Sequence, residues 1–154
     1  MAPKVTRATA LNPVEARLSG DLLALNRLIM TFLNKRMPVA GFTVGRDAGG
    51  MRVTILLDCP HETARRYVAL LSSLEDVEGI ELAGETVEVA LLERGTDGWR
   101  ETASRAGISA HEAGGTVVAA GDPERMEAWL AALGDDGEDI VRLGPVARPG
   151  DEGE

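Results

Sequence analysis

The spacing of apolar positions along this chain changes in a repeating order. Val14 to Leu18 alternates apolar and polar residues, as a half-buried strand does. From Leu22 the spacing lengthens. Leu22, Leu25, Ile29 and Phe32 fall at i, i+3, i+7 and i+10, and Leu28 and Leu33 widen the stripe. That pattern predicts a helix with one core-facing side. Ser19, Gly20 and Asp21 turn the chain before it, and Asp21 or Ser19 is placed to accept hydrogen bonds from the first free N–H groups. Lys35 and Arg36 suit the negative end of the helix. Pro38 stops it, because proline disfavours helical backbone in the residue before it.

Two apolar strands follow, Val39 to Gly45 and Met51 to Leu57, joined by a tight turn with Gly49 and Gly50. Pro60 stands where a first-turn proline belongs. Ala64, Tyr67, Val68, Leu71 and Leu74 make a second amphipathic helix, and Val77 to Leu82 a fourth strand. The order is then repeated more weakly. Thr86 to Leu92 reads as a strand and Trp99 to Ala106 as a helix ended by Gly107. Ile108 to Glu112 and Thr116 to Ala120 are strands around Gly114-Gly115. Asp122-Pro123 opens a helix whose apolar side is Met126, Trp129, Leu130 and Leu133, and Ile140 to Leu143 is a last strand. The expected architecture is α+β: two tandem βαββαβ units, residues 14–83 and 84–148, with loose ends at 1–13 and 149–154.

Composition narrows the function classes. The 154 residues suffice for two small domains, and 44% hydrophobic content provides a core. Aromatics are only 3%, so that core is aliphatic. The single cysteine, Cys59, rules out an intramolecular disulfide and fits a reducing cytoplasm. The first 13 residues lack the apolar stretch of a signal peptide, and no apolar run approaches the roughly 18 residues that span a bilayer. No membrane association is expected. The net charge of −9 is uneven: residues 1–82 carry 10 Lys/Arg and 9 Asp/Glu, whereas residues 83–154 carry 6 and 16. An acidic chain gains nothing from displacing counterions on DNA, so nucleic acid is not an expected partner.

Chemistry is sparse. No Ser-nucleophile, phosphate-loop or zinc-protease signature is present. His61 and His111 are about 50 residues apart, in different units. Cys59 precedes a helix N-terminus, a place that can lower a thiol pKa. A small buried apolar residue at a strand end is the better account. Asp135, Asp136, Glu138 and Asp139 lack the spacing of a calcium loop and read as a solvated acidic turn. Trp99 and Trp129 read as core anchors of the second unit. No catalytic residue, metal site or cofactor is expected.

Several motifs in order resemble a known family. Phe32, Lys35-Arg36, Val39, Phe42-Thr43-Val44-Gly45 and Arg52-Val53-Thr54-Ile55 are similar to the helix and strand pair of the ACT domain in the small regulatory subunit of acetohydroxyacid synthase (acetolactate synthase). Leu71, Leu74, Asp76, Val77 and Ile80 match its next motif, and Val87 to Leu92 its following strand. Arg125, Ala128, Trp129 and Leu133 resemble a later helix, and Arg142 to Gly150 the closing segment. The resemblance covers nearly the whole chain. It implies an ACT domain followed by a second ferredoxin-like domain.

It further implies a non-catalytic subunit in branched-chain amino acid biosynthesis. Such a subunit forms a homodimer with ACT sheets edge to edge, and activates a thiamine-diphosphate-dependent catalytic subunit. In the family an N-x-P/S-G loop and a second asparagine hold the effector, valine, at the dimer interface. Counted from Phe32 without a gap, the resemblance puts those positions on Gly20, Leu22, Leu23 and Pro38, all changed, and Asp21 adds a resident carboxylate. The expectation is that valine sensing is weakened or lost. Two further readings remain: a stand-alone small-molecule sensor and a ligand-free interaction module.

Overall fold

The protein is described here by a computed structural model covering residues 11–93, 98–134 and 140–148. The chain divides into two compact units between Gly84 and Glu85. In the first, β1 (Leu11–Leu18), α1 (Leu22–Asn34), β2 (Val39–Asp47), β3 (Gly50–Asp58), α2 (His61–Leu71) and β4 (Val77–Leu82) follow in order. In the second the order is β5 (Thr86–Glu93), α3 (Trp99–Ala106), β6 (Ser109–Ala113), β7 (Thr116–Gly121), α4 (Pro123–Ala132) and β8 (Ile140–Ala147). The strands form two four-stranded sheets, β2-β3-β1-β4 and β6-β7-β5-β8, with every pairing antiparallel. The two sheets repeat one topology. The architecture is α+β, a ferredoxin-like βαββαβ fold occurring twice.

Alternation decides which side of each strand is buried. In the first unit Val14, Ala16 and Leu18 of β1 share a face with Val53, Ile55 and Leu57 of β3, and all six are buried. Helix α1 adds Ala24, Leu28 and Phe32 to this core, and α2 adds Ala64 and Leu71. Each fully buried Leu or Ile contributes roughly 1.5–3 kcal/mol. In the second unit Ala90, Leu92, Val117 and Ala119 meet Trp99 and Ala103 of α3 and Met126 and Trp129 of α4. Trp129 is fully buried, and its indole N–H donates to the Thr102 hydroxyl at 2.9 Å. Both tryptophans are core residues, as expected from their positions. The Arg100 guanidinium lies 4.5 Å from the Trp99 ring.

Boundaries differ from the sequence reading in instructive places. Strand β1 starts at Leu11 because its ladder with β3 continues to Asp58, and the Asn12 amide donates to the Cys59 carbonyl at 2.8 Å. Helix α2 ends at Leu71, so Leu74 lies beyond it. The Ser72 and Ser73 hydroxyls donate to the Ala69 and Leu70 carbonyls, each at 2.7 Å, competing with continuation of the helix. Pro60 is the N-cap residue of α2 rather than its first residue. In the β2–β3 turn the Asp47 carboxylate accepts from the Gly49 and Gly50 amides at 2.9 and 3.1 Å. Gly50 has φ of 154°, and a Cβ there would lie 2.9 Å from the Leu18 carbonyl oxygen, so only glycine fits.

The largest correction concerns α1. Leu22 and Leu33, expected on its core side, are 74% and 65% exposed. The buried side is Ala24, Leu28 and Phe32. Apolar residues cover more than half of the helix circumference, so periodicity alone does not select the side that meets the sheet.

Candidate functional site

The β1–α1 turn is built by three local effects. Gly20 has φ of 95°, a backbone state that disfavours a Cβ. Asp21 is the N-cap: its carboxylate accepts from the Leu23 amide at 3.0 Å, and its carbonyl accepts from the Ala24 amide at 3.0 Å. Ser19 has a different task. Its amide donates to the Asp76 carbonyl at 2.9 Å, tying the turn to the segment before β4. Leu22 and Leu23 both project into solvent.

Behind this turn is a shallow cleft of about 100 Å³, lined by Leu18, Ala24, Leu28, Leu74 and Val77 and rimmed by Arg27, Glu75 and Asp76. Arg27 donates to the Asp76 carboxylate at 2.7 Å. That hydrogen bond and the Asp76 charge raise the Arg27 pKa above its ordinary value. The one cation of the cleft is thus engaged within the protein.

Pro38 lies at the other end of α1. Its carbonyl accepts from the Asp58 amide at 2.8 Å. The 13 residues of α1 separate it from Gly20–Leu23 by roughly 20 Å at 1.5 Å per residue. Within one chain, therefore, Gly20, Asp21, Leu22 and Leu23 form one cluster and Pro38 does not join it.

The flank of α1 shows a feature that sequence reading missed. At 100° per residue, Leu22, Ile29 and Leu33 share one line along the helix, and Arg27 lies about 140° away. Arg27 points to Asp76, next to β4, so the Leu22–Ile29–Leu33 line faces the opposite side, toward β2. β2 is the sheet edge there. Its Phe42 packs edge-on against Phe32 with ring centroids 5.8 Å apart, and Phe42 and Val44 are both partly exposed. A free strand edge thus adjoins an exposed apolar flank. Only the combination of exposure and strand order reveals it, because each residue taken singly reads as core.

The remaining candidates divide plainly. His61 and His111 are exposed and lie in separate units. Cys59 is buried, and burial first, with the Asp58 charge second, raises its thiol pKa. The structure therefore supports the packing role and opposes an activated thiol. Asp135, Asp136, Glu138 and Asp139 lie outside the described residues. Among the described residues no group of three His, Cys, Asp or Glu is arranged to hold a metal ion. No helix among them is long and apolar enough to cross a membrane. In the second unit the buried Glu88 accepts two bonds from Arg142, at 2.7 and 2.9 Å, and Arg142 also reaches Glu127 at 3.0 Å. This network joins β5, β8 and α4, and the hydrogen bond to Glu88 is the main cause of the raised Arg142 pKa.

No protein-family model and no curated protein matches this sequence. The structure does have a solved counterpart. It is similar to the acetolactate synthase small subunit from Thermotoga maritima, with a TM-score of 0.71 at 17% sequence identity. The match covers 90% of this chain and 96% of that one, so both units and their order are shared. The chain has the fold of an acetolactate synthase small subunit.

Proposed function

We propose that this protein is a non-catalytic regulatory subunit, or a diverged relative of one, acting on acetohydroxyacid synthase in branched-chain amino acid biosynthesis. The observation that carries the reading is end-to-end likeness: both units of the chain match both units of a small subunit, with almost nothing left over on either side. The collinear motifs from Phe32 to Arg142 support it independently of the coordinates.

In this reading the first unit is an ACT domain that pairs with a second copy along β2. Two sheets then continue into one, which removes an exposed edge. The Leu22–Ile29–Leu33 flank and Phe42 and Val44 supply apolar surface beside the joined strands. A two-fold axis at that edge sets the N-terminal end of one α1 near the C-terminal end of the other. Gly20–Leu23 of one copy thereby approaches Pro38 of its partner, and the effector position is shared between chains. The partner of this dimer is the catalytic subunit.

The same position argues against valine. The Leu23 amide, a donor that an effector carboxylate would need, already holds Asp21. The Asp21 charge repels an incoming anion, Leu23 adds bulk, and Pro38 lacks an N–H. The test is acetolactate formation by the catalytic subunit from the same genome, with and without this chain and with and without valine. Stimulation unaffected by valine is expected, with calorimetry showing no saturable valine binding below about 1 mM. Stimulation abolished by valine would refute the reading of the turn. No stimulation and no co-elution would refute the subunit reading.

A second reading rests on the exposure of Leu22 and Leu23, which leaves the turn apolar. The chain would then be a stand-alone sensor retuned to a larger apolar ligand. A specific ligand raises the unfolding midpoint in a thermal-shift panel of amino acids. A flat panel leaves the ligand-free interaction module in its place.

A further inference from the structure

Helix α1 ends on a residue type that its geometry disfavours. The Met37 amide donates to the Phe32 carbonyl at 2.9 Å and the Arg36 amide to the Leu33 carbonyl at 3.2 Å. This pair of bonds requires left-handed backbone at Arg36, and its φ is 51°. Glycine is the ordinary choice there, because a Cβ crowds the neighbouring carbonyl. The same chain makes that choice elsewhere: Gly107 after α3 has φ of 75° and Gly134 after α4 has φ of 66°. Among the described residues Arg36 is the only non-glycine with positive φ. Arg36 is exposed, and its side chain has no hydrogen bond or ion pair among the described residues. A strained backbone that carries an unpaired cation points to a contact outside its own unit.

The other end of α1 carries the complementary group. One oxygen of the Asp21 carboxylate accepts from the Leu23 amide at 3.0 Å. The second oxygen has no partner among the described residues. The cation of α1, Arg27, donates to Asp76 instead. An unpaired acid thus precedes the helix and an unpaired base follows it. Their register suits a two-fold axis. The midpoint of positions 21 and 36 falls between Leu28 and Ile29, about 5 Å along α1 from Phe32. Phe32 packs on Phe42, and Val44 lies about 7 Å from Phe42 in the same direction. An axis at the β2 edge, level with Val44, therefore sets the N-cap of each α1 opposite the C-terminal end of the other.

We infer that Arg36 of each copy pairs with the free carboxylate oxygen of Asp21 of the partner subunit, twice per dimer. The effector position is thereby closed by an anion that the protein itself supplies. The inference rests on the dimeric reading of the first unit and names what occupies its shared position.

Sedimentation velocity of the full chain tests it on wild type, D21N, R36G, R36K, D21N/R36G and L33E. D21N keeps an oxygen for the Leu23 amide, so the cap survives. D21N and R36G should each weaken the dimer about three- to tenfold, as two exposed ion pairs would. R36K should keep most of the affinity, and D21N/R36G should be no weaker than R36G alone. The gap between wild type and R36G should narrow between about 0.05 and 0.5 M salt, which screens the pair. L33E breaks the edge itself and should be monomeric. Adding R36G to L33E should raise the unfolding midpoint by about 3 °C, because glycine relieves the backbone. If L33E dissociates while D21N and R36G associate as wild type does, the dimer stands and this inference fails. It fails equally if the two changes add independently, or if R36G lowers the midpoint of L33E, which would give Arg36 a partner inside its unit. It fails too if R36G spares self-association and weakens binding to the catalytic subunit. A wild-type chain that is monomeric at about 100 μM would overturn the dimeric reading and this inference with it.

Discussion

At the scale of single residues, Asp21 has the clearest assignable role. Its carboxylate satisfies the Leu23 amide in the exposed first turn of α1. Asp21→Ala should lower stability by about 1 kcal/mol, the usual loss for an N-cap, measured by urea unfolding. Asp21→Asn should lose much less, since an amide oxygen accepts the same bond. A large loss in both variants would show that the side chain does something other than cap. Cys59 gives a pH prediction. Burial holds its thiol pKa above the ordinary value of 9.0. Above pH 9 the unfolded chain releases this proton before the folded chain does, so the unfolded state binds fewer protons and stability falls as pH rises. Below that range Cys59 contributes no pH dependence. Cys59→Ala should flatten the stability curve above pH 9 relative to wild type. An unchanged slope would place the alkaline loss on other groups.

At the scale of elements, α1 shows how a helix of the right period is still ambiguous. Its sequence has apolar residues at Leu22, Leu23, Leu25, Leu28, Ile29, Met30, Phe32 and Leu33. The sheet takes the side bearing Ala24, Leu28 and Phe32, and the opposite flank stays open. Leu28→Ala should therefore cost about 3 kcal/mol, whereas Leu22→Ala should fall within about 0.5 kcal/mol of wild type in a monomeric state. Comparable losses at both positions would mean that the flank is covered within the unit. Strand β8 makes a related point. Its ladder with β5 is broken by one extra residue between Leu143 and Val146. Gly144 takes φ of 123° there, and a Cβ would lie 3.1 Å from the Val87 carbonyl oxygen. The bulge keeps Val146 on the open face and returns Ala147 to the buried one.

At the scale of the whole molecule, charge and apolar surface are divided between the two halves. The half with the strongly negative balance also has an apolar sheet face, and the nearly neutral half has the apolar helix flank. Under the proposed function, binding of the acidic half to a basic surface of the catalytic subunit should weaken as salt rises, because the attraction is screened. Co-sedimentation of the two subunits at low and high salt measures this, and equal binding in both would remove electrostatics from that contact.

Much of the fold was legible along the chain. The switch between period-2 and period-3.6 spacing located the eight strands and four helices of the described residues, because each element must turn one apolar side inward. Asp21 and the Asp122-Pro123 pair marked helix starts through purely local hydrogen bonding. Motif order also pointed to the architecture that the solved small subunit shares. Burial was not legible where apolar residues exceed what one core can hold. Leu22 and Leu33 on α1, and Val141 and Leu143 on β8, look like core residues in sequence and are open in the structure. Which of several apolar sides meets the sheet depends on strand order and on neighbours far along the chain, such as the Arg27–Asp76 pair. The distance between Gly20 and Pro38 likewise follows from α1 being one unbroken helix. The sequence by itself determined the elements and their order, which are set by local spacing. Tertiary structure alone decided which apolar surfaces stay uncovered, since that is set by long-range packing.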